Sequence, residues 1–202
     1  MEEEHHNENI VIAGVIYPLI HLATTRHKVP VLLQGKYLKD IPIMVSYTMH
    51  TYFRGPLSGE VVPNSHRVMD GKHARVFCDR RYALSTKLPR LMAQFLQERK
   101  PFHSVDGGNF LRFEDVESGE DDSQQIVYHI IFRMRKVTVG ERYIHLRVET
   151  AYPEDLLNYP PVRHGRKPFY LPETLQNLWM PRAAGPMKRS KKGGGEKSVK
   201  AA

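Results

Sequence analysis

A single cysteine, Cys78, stands among 202 residues, so no intrachain disulfide can form, and the chain is compatible with a reducing compartment. Long apolar runs are missing too. The longest, Ile10 to Leu22, is broken by Gly14, Pro18 and His21 and falls short of the roughly 20 residues that span a bilayer, so no membrane insertion is expected. The opening MEEEHHNEN is acidic where an export signal starts basic, and a cytoplasmic location is the expectation. The 11 histidines form no HxxH or HExxH, and no CxxC is present, so neither a metal nor a cofactor is expected. Gly107-Gly108 lacks the further glycines and the Lys-Ser/Thr of a phosphate loop, and Ser85 has no GxSxG context. Cys78, between Phe77 and Asp79 at the end of an expected strand, reads as a buried inert thiol rather than a nucleophile.

Charge is present but segregated. Residues 181–202 carry seven Lys/Arg against one Glu, which is +6 of the formal +8. The run RHGRK at 163–167 adds three cations, whereas residues 1–161 hold equal numbers of Lys/Arg and Asp/Glu. A tail of this kind favours an acidic partner, nucleic acid first, through sequence-independent and salt-sensitive phosphate neutralisation. Lys188, Arg189, Lys191 and Lys192 would carry that contact, with Arg163, Arg166 and Lys167 beside His164 extending the same surface. No aromatic residue interleaves the tail, so stacking on unpaired bases cannot come from it, and a plain solubilising extension is the alternative.

With 41% apolar and 26% charged residues, the chain has the composition of an ordinary globular protein. The expected organisation is an acidic leader at 1–8, a single α+β domain at 9–180 and the basic tail at 181–202. The fold class is a mostly antiparallel sheet packed against one main helix. Three β-rich segments, Ile10 to Ala23, Val29 to Gln34 and Ile41 to Phe53, come first, with Pro18, Pro30 and Pro42 suited to strand starts and edges. Residues 55–74 show no sustained period and read as a long loop. Leu84, Leu88, Leu91, Met92, Phe95 and Leu96 recur at helical spacing and predict one helix near 80–98, N-capped by Asp79 and kinked at Pro89. Phe110 to Val116 reads as a strand and the carboxylate-rich 114–122 as an exposed loop. LPETLQNLW at 171–179 predicts a short helix with Pro172 in its first turn.

The segments Ile126 to Val137 and Arg142 to Tyr152 predict a hairpin turning at Thr138–Glu141. Ile126, Tyr128, Ile130, Phe132 and Met134 alternate with polar positions, as do Ile144, Leu146, Val148 and Thr150 in the partner. The register that buries both apolar stripes gathers His129, Arg133, Arg135, His145, Arg147 and Glu149 on the opposite face. Metal-free RNA cleavage needs a base, an acid and cations for the phosphate, and this face could supply Glu149, His145 or His129, and Arg133, Arg135 and Arg147 in those roles. His50 or Tyr52 would join if the third strand lies beside the hairpin. A solvated sheet face with ordinary cross-strand contacts shows the same alternation.

The segments RVFCDRRYALSTKLPRLMAQFL (75–96), NFLRFEDV (109–116), YHIIFRMRK (128–136) and LRVETAYPED (146–155) resemble a set of small proteobacterial proteins borne on plasmids and mobile elements, over about residues 29–160. The shared pattern is an RY-x-x-S-x-x-LP helix followed by a hairpin ending in (S/T)-A-Y, here Thr150, Ala151 and Tyr152. This resemblance carries no catalytic residues with it. The order of helix then hairpin is also similar to barnase- and RelE-like ribonucleases, whose late strands bear the catalytic polar groups, a likeness of topology alone. The leading expectation is therefore a binding or regulatory module acting on nucleic acid or another acidic macromolecule. A metal-independent, toxin-like endoribonuclease comes second, and a protein-docking inhibitor without nucleic-acid affinity third.

Overall fold

The computed structural model describes residues 9–33, 36–105, 108–117, 125–154 and 167–180. The alternating segments late in the chain become β10 (Gln125–Val137) and β11 (Tyr143–Pro153), paired antiparallel and set in the middle of a six-stranded sheet. Its order is β3 (Thr25–Leu33), β4 (Tyr37–Tyr47), β11, β10, β9 (Gly108–Glu117), β8 (His103–Val105). All neighbours are antiparallel except β4 and β11, which run parallel, so the third strand does lie beside the hairpin.

One face of this sheet is the core. Val29, Val31 and Leu33 of β3, Ile41, Ile43, Val45 and Tyr47 of β4, Ile144, Leu146 and Val148 of β11, and Tyr128, Ile130 and Phe132 of β10 are all buried. The helical stripe of Leu88, Leu91, Met92, Phe95 and Leu96 covers it, with Phe95 and Phe102 against Phe132 at ring-centroid distances of 5.5 Å each. Fully burying one such side chain is worth about 1.5–3 kcal/mol.

The expected single kinked helix is two helices, α1 (Asp79–Ser85) and α2 (Leu88–Glu98). Pro89 has no N–H to give to Ser85 and sits at the start of α2, where none is needed. The hydroxyls of Ser85 and Thr86 turn back to the carbonyls of Tyr82 and Ala83 and help close α1. The N-cap of α1 is Cys78, and Asp79 instead accepts from the Tyr17 hydroxyl at 3.0 Å. A third helix, α3 (Leu171–Trp179), buries Leu171, Leu175 and Trp179. Its C-terminal carbonyl, on Trp179, accepts from Lys136 and Arg142, cations placed where the helix dipole favours them. The fold is thus α+β with three helices among the described residues rather than one main helix.

Two smaller sheets complete the described structure. β1 (Asn9–Ile12) and β2 (Val15–Pro18) form a hairpin on the turn Ala13-Gly14, both at positive φ. The span expected to be a loop contains β6 (Arg67–Asp70), which pairs with β7 (His73–Phe77) across Gly71, and β7 in turn pairs with β5 (Phe53–Arg54). Before β6, the Glu60 carboxylate closes residues 54–60 by a two-pronged contact with Arg54, at 2.6 and 2.5 Å, and by accepting from the Leu57 N–H. These contacts hold the Glu60 carboxyl down at about 2.

Candidate nucleic-acid interface

The face of the sheet turned away from the helices carries the polar half of each alternation. Strand register fixes its rows. Arg26 pairs with Met44, Met44 with His145 and His145 with Arg135, while Ser46 pairs with Arg147 and Arg147 with Arg133. Side chains at such positions stand on one face within reach of their cross-strand neighbours. Arg26 is 80% exposed, Arg133 64% and Arg147 47%, so this face is open to solvent at its basic groups.

The five expected residues Arg133, Arg135, His145, Arg147 and Glu149 come together there. The Arg135 guanidinium lies 3.3 Å from His145 Nδ1, and since a guanidinium only donates, Nδ1 accepts. His145 Nε2 is then the protonated nitrogen and donates to Ser46 Oγ at 2.8 Å. Glu149 Oε1 lies 3.7 Å from Arg133 Nε and Oε2 3.9 Å from Arg147 Nε, an ion-paired spacing longer than a hydrogen bond.

Glu149 owes its place to a bulge. Val148 pairs with Phe132 and Thr150 with Ile131, so Glu149 is an extra residue with no partner in the ladder. Thr48, just past the end of β4, holds that step by donating its hydroxyl to the Glu149 carbonyl at 2.6 Å and its N–H to the Val148 carbonyl at 3.0 Å. The bulge resets the alternation beyond it. Thr150, expected on the apolar stripe, faces the other way, and Ala151 takes the core position.

His129 lies on the same sheet face but past the bulge, where the surface closes over. It is 2% exposed, stacked on Tyr152 and packed against Phe110, with Glu154 at 3.7 Å from Nε2. The open rows therefore do not reach it, and of the two histidines expected on this face only His145 stands among them. Tyr52 is buried, and His50 pairs with Asp70 at 2.8 Å. Lys167 is exposed, whereas Arg163, Arg166, Lys188, Arg189, Lys191 and Lys192 lie outside the described residues.

The open face is wider than the hairpin reading suggested. Arg26 and Lys28 on β3 lie on it with Pro42, Met44 and Ser46 of β4 and Tyr143 of β11, and both cations are exposed. Periodicity within a single strand could not assign β3 to this surface, because only the β4–β11 pairing joins the two halves of the sheet. Among the described residues of β3, β4, β10 and β11, the carboxylates are Asp40 and Glu149.

The motif residues Arg81, Thr150 and Tyr152 have a structural task. Arg81 and Thr150 both donate to the His50 carbonyl, at 3.2 and 3.1 Å, and Arg81 also donates to the Phe53 carbonyl at 2.9 Å. The Arg81 guanidinium lies over the Tyr152 ring at 5.4 Å. Together they pin the short turn after β4 to the end of the hairpin.

Among the described residues no group of three or more His, Cys, Asp and Glu is placed to hold a metal, and no helix is long and apolar enough to cross a membrane. A family model described as the YjaZ family matches residues 9–179. No curated protein and no solved structure matches the chain.

Proposed function

The chain belongs to the YjaZ family, and from that premise and the geometry of the open face we propose that it is a binding or regulatory module for an acidic macromolecule, nucleic acid. The observation that carries this reading is the charge of one sheet face. Arg26, Lys28, Arg133, Arg135 and Arg147 share it with His145, against the carboxylates of Asp40 and Glu149 and of Glu141, which pairs with Arg26 at 3.6 Å from the loop before β11. A surface with that excess attracts a polyanion and releases its counterions on contact. The tail cations Lys188, Arg189, Lys191 and Lys192 add to the same attraction.

The test is to titrate the protein into labelled RNA and DNA across a salt series, with a chelator present. Binding without cleavage, with log K falling linearly as log salt rises, is the expected result. Absence of affinity even at low salt overturns it and leaves the protein-docking reading.

One observation favours the endoribonuclease as a second reading: the bulge sets the Glu149 carboxylate between Arg133 and Arg147 on the face that carries His145. In that reading Glu149 takes the proton of the 2′-hydroxyl, the imidazolium form of His145, made when Nδ1 takes up a proton in place of the Arg135 contact, protonates the leaving 5′-oxygen, and the arginines hold the phosphate. Glu149→Gln separates the two. A binder gains affinity because a carboxylate facing phosphates is gone, whereas an enzyme loses RNA turnover.

A further inference from the structure

We infer that the open face takes single-stranded rather than duplex nucleic acid, with an unpaired base stacked on Tyr143. This rests on the nucleic-acid reading above and adds the kind of strand. Cations flank the face on both sides, Arg26 and Lys28 on β3 and Arg133 and Arg135 on β10. Between them, near the start of β11, lie three uncharged side chains, with Arg147 and Glu149 farther along that strand. Tyr143, Pro42 and Met44 are half-buried on β11 and β4, and the Tyr143 ring meets His145 edge-on with centroids 6.4 Å apart. A ring-bearing strip between two cationic rims matches an unwound strand, whose bases offer flat faces while its phosphates seek positive charge.

Width argues against a duplex. The four strands β3, β4, β11 and β10 span about 14 Å at ordinary strand spacing. The major groove, about 12 Å across, admits a helix or a two-stranded ribbon but not a four-stranded face. A duplex could meet this surface only with its backbone, leaving Tyr143 unused.

The basic tail cannot supply this contact, since 181–202 holds no aromatic residue. Tyr143 does, and Arg135 lies with His145 on the adjoining row.

The experiment compares the full chain with Tyr143→Ala and Tyr143→Phe, each titrated against a single-stranded RNA oligonucleotide and against the same sequence as a duplex, at several salt concentrations. The expected result is tighter binding of the single strand, lowered by about 10-fold in Tyr143→Ala and kept in Tyr143→Phe, as a stacking contact requires. The salt slope stays the same in all three proteins, because every phosphate-facing cation is still present. Duplex bound as tightly as single strand, or Phe failing like Ala, overturns the stacking inference and leaves the nucleic-acid reading standing. Failure of the unaltered chain to bind either form overturns that reading itself. Because the Phe variant keeps the ring and its packing, a folding defect confined to Tyr143→Ala is recognised by the loss of duplex binding as well.

Discussion

Single residues show how far the alternation of a strand can be trusted. Arg133, Arg135, His145 and Arg147 are placed by simple parity, because no irregularity interrupts β10 and β11 between Phe132 and Val137. Thr150 is misplaced by the same rule. One added residue at Glu149 reverses the parity of everything after it, and nothing in the local sequence announces that Thr48 will hold the extra step. His129 keeps its parity and still loses its exposure, since Tyr152 and Phe110 close over it. At this scale pH has a definite effect through His27. Burial pulls its imidazole below the ordinary 6.5. The unfolded chain then binds a proton that the folded chain refuses, so the stability present above pH 6.5 declines as pH falls through the folded value. Urea midpoints measured from about pH 8 down to about pH 5 should fall in the unaltered chain and fall less in His27→Gln. Below that window Glu60, held low by Arg54, and Asp70, held low by its hydrogen bond with His50 and then by Arg75, add losses of their own.

Whole elements were legible where a period ran long enough. α3 was bounded correctly by its Pro172 and its apolar spacing, and the hairpin of β10 and β11 by its two stripes. The split between α1 and α2 was not, because Leu84 and Leu88 continue one stripe through the break that Pro89 imposes. β6 is shorter than the window in which alternation can be read, whereas β7 lies where a short strand at Arg75 to Cys78 was expected. Asp70-Gly71, an Asp-Gly pair of the sort that closes tight hairpins, was the available signal. Gly108, at the start of β9, is needed for a different reason. A Cβ there would stand 2.8 Å from the Phe132 carbonyl oxygen, which is backbone and cannot step aside. Gly108→Ala should therefore prise β9 from β10 and cost about 1–3 kcal/mol, read as a lowered denaturation midpoint with an unchanged slope.

For the molecule as a whole, the sequence shows where charge accumulates in the chain but not where it accumulates in space. Counted along the chain, the net positive charge belongs mostly to the tail, and residues 1–161 look neutral. Folding separates those balanced charges. Four strands distant in sequence bring Arg26, Lys28, Arg133, Arg135 and Arg147 to one face, while Glu60 is engaged by Arg54, and Asp70 by His50 and Arg75, elsewhere. Only the parallel contact of β4 with β11, a pairing between segments about a hundred residues apart, makes this surface continuous. The measurement that tests the account most directly is the salt dependence of single-stranded RNA affinity in the full chain beside a variant with Arg133, Arg135 and Arg147 all changed to Gln. If the open face holds the phosphates, the slope of log K against log salt should become shallower by about 2, at roughly 0.7 for each phosphate that is no longer neutralised. An unchanged slope, with the tail intact in both proteins, would contradict it.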